Sequence, residues 1–162
     1  MRDYRIAVIP GDGIGIETIR EAVSTLQAAS DIHGGFRLQF DHFPWGCAYY
    51  LEHGEMMPRD GLSILGDYEC ILFGAVGFPT VPDHISLWGL LLPIRQTFDQ
   101  YINLRPIRLL PGIPSPLRVK GPEEIDFVCI RENTEGEYSG VGGRVHRGTP
   151  QEVAIQTAVF TR

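Results

Sequence analysis

The opening of the chain limits the fold more than any other stretch. Arg5 to Ile9 is a short β-prone run that stops at Pro10-Gly11-Asp12-Gly13-Ile14-Gly15. Beyond that turn Ile16, Ile19, Val23 and Leu26 recur at helical spacing, with Glu17 and Glu21 early, where acids suit the positive end of the helix dipole. Gly34-Gly35 breaks the helix. Phe36, Leu38 and Phe40 then alternate with Arg37, Gln39 and Asp41, the pattern of a strand with one buried face. Short helices are expected around Cys47 to His53 and Arg59 to Leu65. The continuous apolar run Cys70 to Ala75 predicts a strand buried on both faces. Strand, helix, strand, helix, strand is the order of an α/β fold with a largely parallel sheet.

The glycine turn narrows this further. Gly11, Gly13 and Gly15 give G-x-G-x-G with isoleucine at 16, and no acidic residue ends the next strand where a ribose would need it. The turn is therefore not the G-x-G-x-x-G dinucleotide fingerprint, and the three glycines need mean no more than a tight strand-to-helix connection.

Composition excludes some partners. The 162 residues are 43% hydrophobic and 21% charged, which is globular, and the net charge of −6 argues against a nucleic-acid surface. Lys120 is the sole lysine and every other basic residue is arginine, the fork that grips carboxylates in two places at once. Cys47, Cys70 and Cys129 are far apart, without a C-x-x-C, which makes a reducing cytoplasm the expected location. Met1 to Arg5 leads straight into a strand pattern rather than a signal peptide. No apolar run reaches the ~20 residues of a membrane span, so neither membrane nor nucleic acid is an expected partner.

Further on, Gly74 to Pro82 is a loop at the carboxyl end of a strand, where open α/β sheets bind ligands. Leu87, Leu91, Ile94, Phe98 and Tyr101 form a helical stripe. Pro93 predicts that the regular helix begins there, which would put Arg95 in its first turn beside free N–H groups. Ile102 to Leu110 is strand-like but interrupted at Arg105-Pro106, and Pro111 to Pro122 is a proline-rich connection. Ile125 to Ile130 predicts a strand, followed by the polar run Arg131-Glu132-Asn133-Thr134-Glu135-Gly136-Glu137-Tyr138. Ser139 to Gly148 is rich in glycine. Val153, Ile155, Thr157 and Val159 alternate like a strand.

The polar run reads equally as a solvated turn or as one wall of a site. Arg95, Arg105 and Arg131 would together suit a ligand with two carboxylates, although each alone would do as a surface ion pair, Arg95 with Asp99 for example. Tyr138 could serve as a general acid toward an enolate. Glu132, Glu135 and Glu137 lack a metal-ligand spacing and the five histidines are scattered. Lys120, in a Gly-Pro turn, is a poor candidate for a buried catalytic amine.

Several motifs in order resemble the β-decarboxylating dehydrogenases, which include isopropylmalate and isocitrate dehydrogenases. They are Ile9 to Gly15, Gly74-Ala75-Val76-Gly77, Asn103-Leu104-Arg105-Pro106 and Arg131 to Gly136. Val81 to Gly89, Glu137-Tyr138-Ser139 and Val159 to Arg162 are similar to the branch of that family acting on tartrate and D-malate, and Trp88 stands where isopropylmalate enzymes carry an acid. The resemblance implies a non-Rossmann, isopropylmalate-dehydrogenase-like α/β fold: a mixed sheet with flanking helices, incomplete at its C-terminus. It implies residues 1–102 as the N-terminal part of a large α/β domain and 103–162 as the start of a smaller one, ending at strands that clasp a homodimer. It implies NAD- and Mg²⁺- or Mn²⁺-dependent oxidation, with or without decarboxylation, of a 2-hydroxy dicarboxylate such as tartrate or D-malate. Arg95, Arg105 and Arg131 fall on the substrate-binding arginines of the family and Tyr138 on its catalytic tyrosine. Ile14, Gly74, Ala75, Val76 and Gly77 fall near the nicotinamide. Leu90 and Pro93 depart from the branch. Family members are roughly twice as long, and their catalytic lysine, metal-binding aspartates and adenosine loop have no counterpart in this sequence. The expectation is a half-length chain, without metal ligands of its own and inactive alone. The alternatives are a non-catalytic dicarboxylate-binding subunit or a degenerate fragment.

Overall fold

The computed structural model describes residues 2–118 and 121–161. Lys120 and the closing Arg162 lie outside these. The chain forms two compact units, Met1–Ile94 and Arg95–Arg162.

In the first unit, β1 (Arg2–Ile9), β2 (Phe36–His42) and β3 (Cys70–Phe73) form a parallel sheet in the order β2-β1-β3. α1 (Ile14–His33) links β1 to β2, and α2 (Cys47–His53) and α3 (Gly61–Leu65) lie between β2 and β3. Ile6, Val8 and Ile19 form the core, with Tyr4, Val23, Leu38, Phe40 and Leu72 packed around it. Gly34 ends α1 in the left-handed conformation, its N–H bonding the Ser30 carbonyl.

β1 is buried at its carboxyl half because it alone has a strand on either side. β3 departs from expectation. It stops at Phe73, Cys70 is exposed and the next three residues are only partly buried. Pairing with β1 alone leaves β3 one open edge, so its apolar run does not guarantee burial on both faces.

The helical stripe also departs. Helix runs from α4 (Asp83–Ser86) through a π turn (Leu87–Leu91) into α5 (Leu92–Thr97), with Pro93 inside it. In the π turn the Leu92 N–H bonds the Leu87 carbonyl. This wider spacing accommodates a ring that would clash in a regular α-helix. Arg95 therefore sits in the last turn of α5 rather than in a first turn with free N–H groups. Leu90 is fully buried, so this departure from the family branch is taken up in packing.

In the second unit β4 (Ile102–Arg108) pairs antiparallel with β5 (Asp126–Glu132). β4 is not interrupted: Pro106 pairs with Val128, and a two-stranded ribbon has open edges where a missing N–H is tolerated. Asn103 stands opposite Arg131 and Arg105 opposite Cys129, so strand alternation puts these four on one face. Ile102, Leu104, Val128 and Ile130 occupy the other, each more than half exposed. β6 (Gly142–Val145), within the glycine-rich stretch, pairs antiparallel with β7 (Val153–Gln156), and Val159 bridges to Gly136.

The loops at the carboxyl ends of β1 and β3 touch through their main chains. A Cβ at Gly11 (φ +72°) would stand 2.1 Å from the Ala75 oxygen, and one at Gly74 2.0 Å from the Pro10 oxygen. Gly34 also has positive φ, but no atom lies within 4 Å of its Cβ position. Gly11→Ala is therefore expected to cost about 3 kcal/mol or more, against about 1 kcal/mol for Gly34→Ala, measured by urea denaturation.

Candidate functional site

Two clusters emerge, one in each unit. In the second unit the strand register brings Arg105 and Arg131 to one face, and α5 supplies Arg95. Burial, then the like charges of Arg131 and Arg105, lower the proton affinity of Arg95, while Tyr138 opposes this. The Arg131 guanidinium donates to the Tyr138 hydroxyl at 3.0 Å and lies 5.5 Å from the centre of its ring. Tyr138 sits in a single 3₁₀ turn, Glu137–Ser139. Gln96 ties that turn to α5, its amide donating to the Tyr138 main-chain oxygen at 3.0 Å.

Among the described residues no carboxylate forms an ion pair with Arg95, Arg105 or Arg131, although five other arginines do pair with carboxylates. The Arg95–Asp99 pairing therefore does not form. The acids of the polar run do structural work. Glu132 accepts the Thr134 N–H at 2.7 Å, the Thr134 hydroxyl at 2.8 Å and the Glu135 N–H at 2.9 Å. Glu135 binds the main chain and hydroxyl of Thr161. Three cations thus converge without a protein anion, an arrangement suited to a bound one.

The first unit holds Ile14 and Gly74 to Gly77. They stand at the carboxyl ends of β1 and β3, where β1 continues toward β2 on its other side, a topological switch point. Ile14 is 62% exposed, and space beside Gly77 is open. Beneath them lies a residue that motif reading passed over. Asp12 is 4% exposed, yet no cation among the described residues pairs with it. Its carboxylate accepts main-chain N–H groups from Cys47 (2.9 and 3.1 Å), Ala48 (3.3 Å) and Gly77 (3.1 Å). Its own N–H donates to the Ala75 oxygen at 2.7 Å. One carboxylate thus joins the glycine turn, the start of α2 and the loop after β3. Burial, then the neighbouring Asp12, pushes the Cys47 thiol up to about 12, which makes it a packing residue rather than a nucleophile. An acid between two glycines at a strand end was the available signal, but its partners are main-chain groups that leave no motif.

Trp88 lines a separate depression of about 440 Å³ with Tyr50, Met57 and His84. No group of three His, Cys, Asp or Glu side chains among the described residues could hold a metal ion. None of their helices is long and apolar enough to cross a membrane.

These features define an α/β protein with two abutting glycine loops in one unit and, in the other, three arginines, Arg95, Arg105 and Arg131, that have no acid partner among the described residues. Residues 5–162 match the model of the isocitrate/isopropylmalate dehydrogenase family, and the chain belongs to that family. It is 58% identical over its whole length to the D-malate dehydrogenase (decarboxylating) of Escherichia coli K12. It is 56% identical to a probable tartrate dehydrogenase/decarboxylase of Agrobacterium vitis. In both cases it spans 45% of the relative's length. Among solved structures, isocitrate dehydrogenase from Methylococcus capsulatus is similar with a TM-score of 0.77 at 26% identity, covering 98% of this chain and 43% of that one.

Asp12→Ala is expected to lower stability by about 3 kcal/mol or more, because several part-buried N–H groups lose their acceptor; Asp12→Asn, which keeps one oxygen, should lose less in the same denaturant titration. At Glu132 burial pushes the carboxyl up, but hydrogen bonds from Thr134, Glu135 and Asn133 outweigh it and hold it below the usual glutamate range. Its contribution to stability is then complete above the ordinary glutamate value and lost as pH falls through the depressed one. A carboxyl NMR titration should place the Glu132 midpoint below that of a glutamate in an unstructured peptide; an equal or higher midpoint contradicts this.

Proposed function

We propose that this chain supplies the dicarboxylate grip and the proton-donating tyrosine of an enzyme that oxidises a 2-hydroxy dicarboxylate such as tartrate or D-malate, with or without decarboxylation. The observation that carries this reading is the convergence of Arg95, Arg105 and Arg131 without an ion-paired carboxylate among the described residues. A dicarboxylate supplies two acceptors for such forks, and removing either carboxylate leaves guanidinium groups unpaired.

Tyr138 is the proton donor in this scheme. Oxidation of the 2-hydroxyl gives a 2-oxo acid; where the β-carboxylate then leaves as CO₂, its bonding electrons form an enolate, and the Tyr138 hydroxyl protonates the carbon. The hydrogen bond from Arg131 supports the phenolate left behind. NAD, when bound, accepts the hydride. Ile14 and the main chain of Gly74 to Gly77 fit it, as an exposed apolar side chain beside an open glycine edge at a switch point suits a flat ring.

The divalent ion does not fit this chain alone, since its described residues offer no ligand cluster. The 162-residue polypeptide is therefore proposed to bind dicarboxylate without turning it over. The same observation favours a second reading, a non-catalytic dicarboxylate-binding subunit. Residues 1–102 and 103–162 are proposed as parts of a larger and a smaller domain, and the whole enzyme as a cytoplasmic homodimer.

Calorimetry should show D-malate or tartrate binding to the chain at least tenfold more tightly than lactate, with Arg95→Ala, Arg105→Ala and Arg131→Ala each weakening binding about tenfold or more. Equal affinity for lactate, or wild-type affinity in all three variants, would refute the grip. NADH formation from D-malate and Mn²⁺ by the purified chain would refute both its inactivity and the non-catalytic reading.

A further inference from the structure

We infer that Asn133 and Asn103 are positioning residues, a two-amide relay that aims the Arg105 guanidinium while leaving its charge free for a ligand. The inference rests on the dicarboxylate reading for its purpose, not for its geometry. Asn133 is 6% exposed, and its amide nitrogen donates to the Gln100 main-chain oxygen at 3.2 Å. Its amide oxygen accepts from the Asn103 amide nitrogen at 3.2 Å, and the Asn103 oxygen accepts from Arg105 Nε at 3.3 Å.

Both ends of this chain of bonds have fixed polarity. A main-chain carbonyl only accepts and a guanidinium only donates. The amide of Asn133 must turn its NH₂ toward Gln100 and its oxygen toward Asn103. Asn103 must then turn its NH₂ toward Asn133 and its oxygen toward Arg105. Two side chains that could each flip are thereby locked in one sense, from a buried anchor to a half-buried link to an exposed cation.

The chemistry of the links matters as much as their order. An aspartate at 103 would hold Arg105 just as firmly but would neutralise it. An aspartate at 133 would have no hydrogen for Gln100 and would place a charge where almost no solvent reaches. Amides orient without neutralising. Because the relay takes Nε, the two terminal nitrogens stay free, and a carboxylate is held end-on by that pair rather than side-on through Nε.

The test is made on the full 162-residue chain. By NMR, Arg105 Nε–H exchange with solvent should be about tenfold slower than that of exposed Arg37. Asn133→Ala and Asn103→Leu should each bring it to the Arg37 rate. Asn103→Asp should keep Arg105 Nε–H protected while weakening D-malate binding about tenfold, a split that a purely structural asparagine would not produce. If Asn133→Ala does not fold, Asn103→Leu decides the exchange arm. Unchanged Arg105 exchange in the foldable variants, or wild-type D-malate affinity in Asn103→Asp, overturns the relay. Absence of D-malate binding by the wild-type chain would instead overturn the dicarboxylate reading, and the exchange arm would still decide the relay.

Discussion

A buried carboxylate with no cation paired to it among the described residues ties the loops of the first unit together. Taking Asp12 out of water would be prohibitive if its charge were left alone. The cost is met by main-chain N–H groups from two places far from it in sequence, the adjacent Cys47 and Ala48 and the more distant Gly77. The glycines make this possible. Gly11 and Gly74 bring the two loop main chains so close that a side chain at either would displace the other. The cofactor-facing edge proposed at Ile14 and Gly77 is thus built mostly of main chain and fixed from below.

The second unit presents the opposite situation. Its cations gather on a two-stranded ribbon and the end of a helix, and among the described residues no anion answers them. Nearby carboxylates exist but are committed elsewhere, Glu132 to the turn after β5 and Glu135 to Thr161. A chain that wanted only stability would let one of these acids pair with Arg131. Keeping them occupied with main-chain and hydroxyl donors preserves the positive potential while still ordering the turn that carries Tyr138.

Much of this was legible in the sequence. Hydrophobic period located β1, α1, β2, α2 and β5, and turn chemistry located the breaks at Gly34 and Gly136. Arginine in the strand patterns pointed to Arg105 and Arg131. What failed did so for tertiary reasons. Whether Cys70 to Phe73 is enclosed depends on having a second neighbour, which local pattern does not encode. Pro93 stops a regular helix but not one widened by a π turn, and that misplaced the helix start and the position of Arg95 along it. β6 was hidden because Gly142 and Gly143 carry no strand propensity; Gly142 is needed where the partner's main chain passes 2.3 Å from its Cβ position. Asp12, Asn103 and Asn133 were missed because polar residues that bind main chain or each other have no spacing rule.

The chain's net charge makes the orienting amides more consequential. At −6 this 162-residue chain carries no net positive field to draw a dianion from afar. Screening over about 8 Å at physiological salt confines useful attraction to the immediate neighbourhood of the three guanidiniums. Recognition then depends on short contacts, and short contacts depend on direction. A floppy arginine would contribute charge but lose rotamer freedom on binding, eroding the gain. An arginine aimed in advance by neutral groups avoids that loss and keeps its full charge. A tyrosine hydroxyl at Arg131 and asparagine amides at Arg105 follow one logic: neutral partners settle position, and the balance of charge is left to the ligand.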